Sequence, residues 1–349
     1  MTGRPLLKTL WPVLRRGGGC VQFGTDPDHA VVLEGLHEDE VSALQSLDGT
    51  REVPAVLRSP GGRDLLDLLL GHGLVVDAGD PVTLPPPVRA LLAHDAQALL
   101  RTASPPRQGY AALVRRRAAH LFVVGRGELP SALAAQLRHA GVGTVRQGFE
   151  VADDWEQVHG GPARGAAAHG TGSTSAPSPA RDGRSAPTVP ALVVLVGSYA
   201  LDAAAAGPWR ARGIPVLPVV LHGLEAVVGP VVVPHGPCLR CLDLARSDLD
   251  PGWPALLGQL VPARVGAGPE VSGETTLVGL ATSMTAMVAL AVLDGQVLPV
   301  GRSLEVSLPW PRVRQRQWEV HPRCGCGAGS DTSGQPADVG TPAQARMAG

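Results

Sequence analysis

The sequence predicts an α/β protein in which a small winged-helix-like module precedes a parallel strand-helix-strand domain. Three observations predict it. Residues 120–124 read as an apolar strand, 130–140 as a helix and 141–145 as the turn into a second strand, which is the parallel α/β pattern. Residues 191–196 form a continuous apolar run, typical of a central parallel strand. Residues 6–80 read as strands, then helices, then a closing strand.

Length and composition limit the function classes. A chain of 349 residues corresponds to about two folded units. The net charge is −1, from 30 basic and 31 acidic residues, so no overall field favours nucleic acid or an anionic membrane. Charged residues make up only 17% and hydrophobic ones 44%, which excludes a wholly disordered chain. Lys8 is the only lysine, so chemistry that needs a lysine deep in the chain is excluded.

The sequence predicts a cytoplasmic protein. The first twenty residues lack the small-residue cleavage site of a signal peptide. Residues 275–293 form an uncharged run whose length approaches that of a membrane-spanning helix. They are rich in Thr, Ser, Ala and Met and lack aromatic or basic flanks, so we expect a buried helix instead.

The amino-terminal module predicts a peptide-docking or packing role. Residues 20–24 and 30–33 read as strands joined by the turn signal Asp26-Pro27-Asp28; helices over 38–47 and 62–70 and a strand over 73–76 follow. Residues 1–100 hold eight basic and thirteen acidic residues, which argues against DNA. A packing domain and an edge that accepts an extended peptide both remain open.

Composition also sets the expected domain limits. The amino-terminal module spans 1–80, a Pro-rich linker with a helix over 88–100 spans 81–112, and the second domain spans 113–326. That domain includes a further strand over 214–220, after a helix that ends near Arg212. Residues 160–188 and the tail 327–349 consist largely of small and polar residues, and we expect both to be disordered.

Cysteine spacing is the strongest chemical signal. Cys238 and Cys241 form a CxxC pair that we expect on a tight turn, and Cys324 and Cys326 follow after 82 intervening residues, 242–323. Four thiolates suit a closed, structural, tetrahedral zinc site. A redox pair and coincidence are the alternatives, although a redox CxxC usually begins a helix in a thioredoxin-like context. His235 and His321 each lie three residues before a cysteine and could replace one ligand.

A glycine loop follows the first strand of the second domain. Dinucleotide and ATP loops use Gly-x-Gly-x-x-Gly so that backbone and a helix N-terminus approach phosphate. Here Gly125 and Gly127 are present, but Pro130 replaces the third glycine and Glu128 adds a negative charge. On these residues alone, a loop that binds no nucleotide fits at least as well as one that does.

The order of these features resembles the ThiF family of the ubiquitin-activating-enzyme superfamily over about residues 113–326. Within it the chain is most similar to actinobacterial ThiF-like proteins that bind leader peptides in azole-forming (TOMM) peptide biosynthesis. Residues 228–230 (Val-Gly-Pro), 237–244 (Pro-Cys-Leu-Arg-Cys-Leu-Asp-Leu) and 248–254 (Asp-Leu-Asp-Pro-Gly-Trp-Pro) carry that resemblance. It implies a Rossmann-like ThiF-type domain with a zinc-binding cysteine staple.

The resemblance also implies where a nucleotide would bind, and the chain departs from that pattern. Gly125 and Gly127 match the family's phosphate loop, and Asp202 is the nearest match to its magnesium-binding aspartate. Phe149 occupies the position of the ribose-binding aspartate, with Glu150 one residue late. Asp153 and Asp154 stand near the place where the family has a basic pair. These departures argue against bound ATP and magnesium, and no residue is predicted to be catalytic.

The resemblance therefore implies a binding protein. We expect it to bind the leader of a precursor peptide, or a small protein, through the amino-terminal module and to present it to a partner modifying enzyme. The resemblance to the ThiF family also implies a homodimer. The alternatives are an ATP-dependent adenylyltransferase, in which Arg126 or Arg138 replaces the missing cations, and a plain structural protein.

Overall fold

The amino-terminal part of the computed structural model contains two small antiparallel sheets and two helices. The structure describes residues 3–7, 13–25, 30–77, 85–102, 108–159, 189–261 and 270–326. The first elements are β1 (Pro5–Leu7), β2 (Val13–Gly17), β3 (Cys20–Phe23), β4 (Val31–Leu33), α1 (Glu38–Gln45), α2 (Pro60–Gly71) and β5 (Val75–Asp77). One sheet has the order β2-β3-β4, and β1 pairs with β5.

Local sequence explains these boundaries. Ser59 caps α2, because its hydroxyl accepts the Gly62 N–H at 3.1 Å, and Pro60 occupies the first turn, where an N–H is not needed. Leu44, Leu57 and Leu69 are fully buried in the core shared by the helices and strands. The predicted strands and helices of this part are confirmed, whereas β1 and β2 were not predicted. The Asp26–Asp28 turn lies outside the described residues, and the winged-helix class stays a prediction.

Three helices connect this part to the main sheet: α3 (Pro86–Leu91), α4 (Ala93–Thr102) and α5 (Gln108–Ala118). Arg116 of α5 is buried and donates to both carboxylate oxygens of Asp294, at 3.0 and 2.6 Å. Its other terminal nitrogen donates to Asp95 at 2.8 Å and to the Ala140 carbonyl at 2.9 Å. One guanidinium therefore fixes the connecting helices to the main domain.

The main domain is built on a seven-stranded mixed sheet of order β12-β11-β10-β9-β8-β6-β7. Its elements are β6 (His120–Val124), α6 (Glu128–His139), β7 (Thr144–Gln147), α7 (Glu150–His159), β8 (Leu192–Ser198), α8 (Gly207–Arg210), β9 (Val216–His222), β10 (Glu225–Val228), α9 (Leu239–Leu249), α10 (Trp253–Leu260), α11 (Thr275–Leu293), β11 (Arg302–Ser307) and β12 (Arg312–Gln317). Strands β7, β6, β8 and β9 run parallel, and β10, β11 and β12 continue antiparallel.

Helices cover both faces of this sheet, which makes an α/β sandwich as predicted. Alternation along the strands supplies both layers: Leu121 and Val123 pack with α6 and α11, whereas Phe122 and Val124 pack with α7, α8 and α9. Trp155 and Trp209 meet on the second face with ring centroids 5.3 Å apart. The predicted parallel strands and their first helix are confirmed, and β10, β11, β12, α9 and α10 were not predicted.

The uncharged run is a core helix. α11 is the one helix among the described residues that is long and apolar enough to cross a membrane. Leu277, Ala281 and Ala289 are fully buried in the core cluster that also contains residues of α6 and the sheet. The predicted buried helix is therefore confirmed, and the cytoplasmic location stays a prediction. The segments 160–188 and 327–349, which we expected to be disordered, lie outside the described residues.

Candidate functional site

The first cysteine pair lies at the start of a helix. Cys238 is the N-cap of α9, and its carbonyl accepts the Cys241 N–H at 2.9 Å. The first helical turn therefore places the two thiols side by side, with 3.8 Å between their sulfurs. Both residues are buried. The hydrogen bond from Cys241 to Cys238 closes the tight turn expected for this pair, and the same turn begins a regular helix.

The second pair comes from the segment after β12. Gly325, between the two cysteines, has a φ of 71°, a left-handed conformation that glycine adopts without strain. The Cys324 N–H donates to the His321 carbonyl at 2.9 Å, which tightens this turn. Asp248, near the end of α9, accepts hydrogen bonds from His321 at 2.8 Å and from Arg323. The helix that carries the first pair thus also anchors the loop that carries the second.

The four cysteines meet in one cluster. All four sulfurs lie within 4.8 Å of one another, with 3.5 Å between Cys238 and Cys324 and 3.3 Å between Cys241 and Cys326. All four are free thiols, and these distances exceed the length of about 2.05 Å of an S–S bond. A tetrahedral ion with Zn–S bonds of about 2.3 Å would space the sulfurs by about 3.8 Å. The four cysteines could therefore hold a metal ion, and their geometry is compatible with zinc.

Burial raises the pKa of Cys241, Cys324 and Cys326, but hydrogen bonds outweigh it only at Cys241. Burial disfavours the Cys241 thiolate, but hydrogen bonds from backbone N–H groups and neighbouring thiols outweigh it and lower its pKa to about 7. Burial raises the pKa of Cys324 and of Cys326, and hydrogen bonds with the neighbouring thiols add to the rise. A cation bound among four such groups would replace the protons that they otherwise share.

Neither candidate histidine belongs to the cluster. His235 is exposed. The two ring nitrogens of His321 are occupied, since Nδ1 accepts the Arg323 N–H at 3.2 Å and Nε2 pairs with Asp248. The hydrogen bond from His321 and the charge of Arg323 lower the pKa of Asp248. His321 therefore supports the loop that carries Cys324, and the thiols alone form the candidate ligand set.

The glycine loop lies at the carboxyl end of β6, but another segment of the chain covers it. The Val271 N–H donates to the Arg126 carbonyl at 2.8 Å, and Gly127 and Val271 form a β-bridge. A Cβ on Gly127 would lie 2.5 Å from the Val271 carbonyl oxygen, and one on Gly125 would lie 2.9 Å from the Val196 carbonyl oxygen. Gly125 and Gly127 also have positive φ values, 149° and 113°. Backbone conformation and close packing therefore explain why both positions require glycine.

The other residues of the predicted nucleotide site have local partners. Asp202 is exposed and accepts the Ala204 N–H at 2.8 Å, as the N-cap of a short 3-10 helix. Arg126 lies over the Phe149 ring at 5.6 Å and 3.9 Å from Glu150. Arg138 is in the last turn of α6, where it donates to the Val145 carbonyl at 2.9 Å. Arg138 thus lies at the opposite end of α6 from the glycine loop, and of these two arginines Arg126 borders that loop.

A cleft that no sequence pattern indicated lies at the carboxyl ends of β8 and β9. It is a cavity of about 50 Å³ lined by Tyr199, Asp243, Arg246 and Trp253, among others. Arg246 lies between the rings of Trp253 and Trp318, at 5.1 and 5.2 Å, and donates to Asp243 at 3.3 Å. Burial raises the pKa of Asp243 and lowers that of Arg246. Trp253 and Trp318 could have drawn attention to this region in the sequence, but only the fold brings both rings to Arg246.

Solved structures of other proteins share this architecture. The heterocyclase TruD superimposes with a TM-score of 0.59 at 16% identity, over 94% of this chain and 43% of that one. A heterocyclase in complex with substrate and cofactor gives 0.58 at 14%, over 91% and 39%. E. coli MccB solved with ATP gives 0.56 at 11%, over 92% and 99%. The chain has the fold of these heterocyclases and of MccB.

These comparisons agree with the α/β fold that the sequence predicts, and the ThiF and TOMM resemblance stays a prediction. No family model matches the chain. No curated protein matches it either. The chain spans about two-fifths of the length of the two heterocyclases, 43% of TruD and 39% of the second. The resemblance to the actinobacterial proteins in particular stays a prediction.

Proposed function

We propose that this protein binds the leader segment of a precursor peptide along the edge of its amino-terminal sheet and presents it to a separate modifying enzyme. The observation that carries the proposal is the open edge of β4. Among the described residues β4 pairs only with β3, and Val32 at its centre is 39% exposed. An extended peptide adds to such an edge through main-chain hydrogen bonds, with side-chain pockets for specificity.

The fold of the neighbours supports a peptide-related role. One heterocyclase was solved with its substrate and a cofactor, and MccB was solved with MccA as well as with ATP. The fold match extends over the amino-terminal part of this chain, because TruD covers 94% of it. We propose that a separate modifying enzyme performs the bond-forming step.

The glycine loop supports a role without adenylation. A triphosphate needs free backbone N–H groups and positive charge at the start of α6. Here Pro130 has no N–H, Glu128 adds a carboxylate to the first turn, and Val271 packs on Gly127. Arg126, the one cation at the loop among the described residues, faces Glu150. The residues present do not fit ATP and magnesium, so we propose no nucleotide-dependent step and no catalytic residue.

The cysteine cluster fits a structural zinc ion. Cys238, Cys241, Cys324 and Cys326 would provide four thiolates and leave no position for water, which is typical of a closed site. The ion would supply cross-linking and no catalysis. We also propose a cytoplasmic homodimer, as the family resemblance implies, and Met287 of α11, which is apolar and 71% exposed, is available for such a contact.

Peptide binding is tested with the products of short open reading frames beside the gene, labelled with fluorescein and titrated by anisotropy. Val32→Asp should weaken binding at least tenfold, because a charge would face the added strand and an apolar contact of about 1.5 kcal/mol would be lost. Val313→Asp is the matched control, since Val313 is an exposed valine on edge strand β12 of the other sheet. Equal affinities of the two variants, or no binding by the wild type, would contradict the proposal.

Adenylation is tested separately by calorimetric titration with ATP and magnesium. We expect no heat of binding. Micromolar affinity, followed by peptide-dependent pyrophosphate exchange, would instead establish the adenylyltransferase, for which the shared fold of ATP-bound MccB is the supporting observation. Sedimentation analysis tests the homodimer.

A further inference from the structure

A cavity of about 450 Å³ lies beside the cysteine cluster. Three cluster cysteines line it, Cys238, Cys324 and Cys326, together with Arg210 and Arg240. Its remaining described lining residues are alanines, glycines and one leucine, so its charged side chains are both cationic.

Arg210 reaches the cluster from the other side of the cavity. Its Nη2 donates to the Cys326 carbonyl at 2.9 Å, a contact between residues 116 positions apart in the chain. Arg210 follows the buried Trp209 in α8, and this helix packs beside the segment that Asp202 caps. The bond therefore fixes the last cluster cysteine to an element distant in sequence.

The same guanidinium has a buried donor without an acceptor. Arg210 Nε is buried and has no hydrogen-bond partner among the described residues. A buried, unsatisfied donor destabilises a fold by about 1 to 3 kcal/mol, so such groups generally find acceptors. The thiols beside this cavity are poor acceptors while protonated. Metal-bound thiolates are negatively charged and accept hydrogen bonds well, and four of them leave a divalent site with a charge of about −2.

We infer that Arg210 is a positioning residue of the metal centre: it holds the Cys324–Cys326 turn through the Cys326 carbonyl and offsets the negative charge of the metal-bound thiolates. Groups that surround metal ligands commonly orient them and set the affinity of the site. Arg240 faces the same cavity but is exposed. Water screens its charge, so it contributes little.

The inference is tested by zinc affinity in full-length Arg210→Gln, Arg210→Met and Arg210→Lys, with Arg240→Gln as the matched control. Zinc content is measured first in the wild type, and affinity then by competition with a chelator of known affinity at pH 7.5. We expect Arg210→Gln and Arg210→Met to bind zinc 10- to 100-fold more weakly. Lysine keeps the charge and should restore part of the loss, and Arg240→Gln should stay within about threefold of the wild type.

Cobalt substitution adds a spectroscopic readout. Wild-type protein should show the thiolate charge-transfer and tetrahedral d–d bands of a four-sulfur site, and Arg210→Met should show weaker d–d bands because Cys326 is less firmly held. Unchanged zinc affinity in Arg210→Met, or an equal loss in Arg240→Gln, would overturn the inference. Should the methionine variant misfold, the glutamine and lysine variants decide alone. Wild-type protein that binds no zinc would refute the metal site itself, and this result is distinguishable because it precedes any substitution.

Discussion

Loss of the Arg116–Asp294 pair should be among the most damaging changes to this fold. The guanidinium and the carboxylate are each 3% exposed and meet through two hydrogen bonds, at 3.0 and 2.6 Å. Burial opposes the charge of Arg116, but the hydrogen bonds and charges of Asp294 and Asp95 outweigh it and raise its pKa. Asp294→Ala would leave this cation buried with one remaining carboxylate, Asp95, which is 37% exposed.

The expected loss in the free energy of unfolding is about 3 to 5 kcal/mol, as for other buried pairs that lose one partner. Asp95→Ala is the control, and because Asp95 is partly solvated it should lose about 1 kcal/mol or less. Urea denaturation followed by circular dichroism measures both, and Arg116→Met with Asp294→Leu should recover part of the loss by removing both charges. If Asp294→Ala loses less than about 1 kcal/mol, the structural role assigned to this pair is refuted.

Three further predictions concern the metal, the glycine loop and pH. Purified protein should contain about one zinc per chain by mass spectrometry, and Cys238→Ser should lose both the metal and cooperative thermal unfolding of the main domain; a stable, metal-free Cys238→Ser protein would contradict this. Gly127→Ala should lower Tm by roughly 4 °C or more, because its Cβ would meet the Val271 carbonyl oxygen at 2.5 Å, whereas Gly61→Ala in α2, with no atom within 4 Å, should leave Tm equal or higher. Glu274 caps α11, and hydrogen bonds from Thr276 and the Leu277 N–H lower its pKa. The ionised carboxylate therefore stabilises the folded protein above the pKa that Glu274 has in the unfolded chain, and this stabilisation is lost at lower pH. The Tm difference between wild type and Glu274→Gln should shrink as pH falls from 7 into the acid range, and a constant difference would argue against the cap.

The central parallel strands were predictable because β6, β8 and β9 are mostly buried on both faces. A continuous apolar run such as Leu192–Val196 carries its own signal. Strand β12, in contrast, has the sequence Arg-Val-Arg-Gln-Arg-Gln, and five of its six residues are exposed. It is a strand because Glu305 of β11 pairs with Arg314 and Arg316 across the sheet. That contact joins two consecutive antiparallel strands, but the sequence of β12 has no apolar alternation that would indicate a strand.

The candidate site was likewise predictable only in part. Cysteine spacing alone identified the four thiols that the structure brings together. The chain has only five cysteines, and two tight pairs among so few rarely arise by chance. The roles of Arg210 and Val271 were not predictable, since each acts through a contact with a residue more than 100 positions away. Arg138 was a candidate replacement cation in the sequence, but the length of α6 separates it from the glycine loop.

The cysteine cluster also encloses much of the chain. Residues 242–323, which contain α10, α11, β11 and β12, lie between its two halves. A cross-link around a segment of this length removes about 4 to 5 kcal/mol of conformational freedom from the unfolded chain. A bound ion would therefore stabilise the elements between the two cysteine pairs, and a chelator would lower the stability of α10, α11, β11 and β12 as well as of the cluster itself.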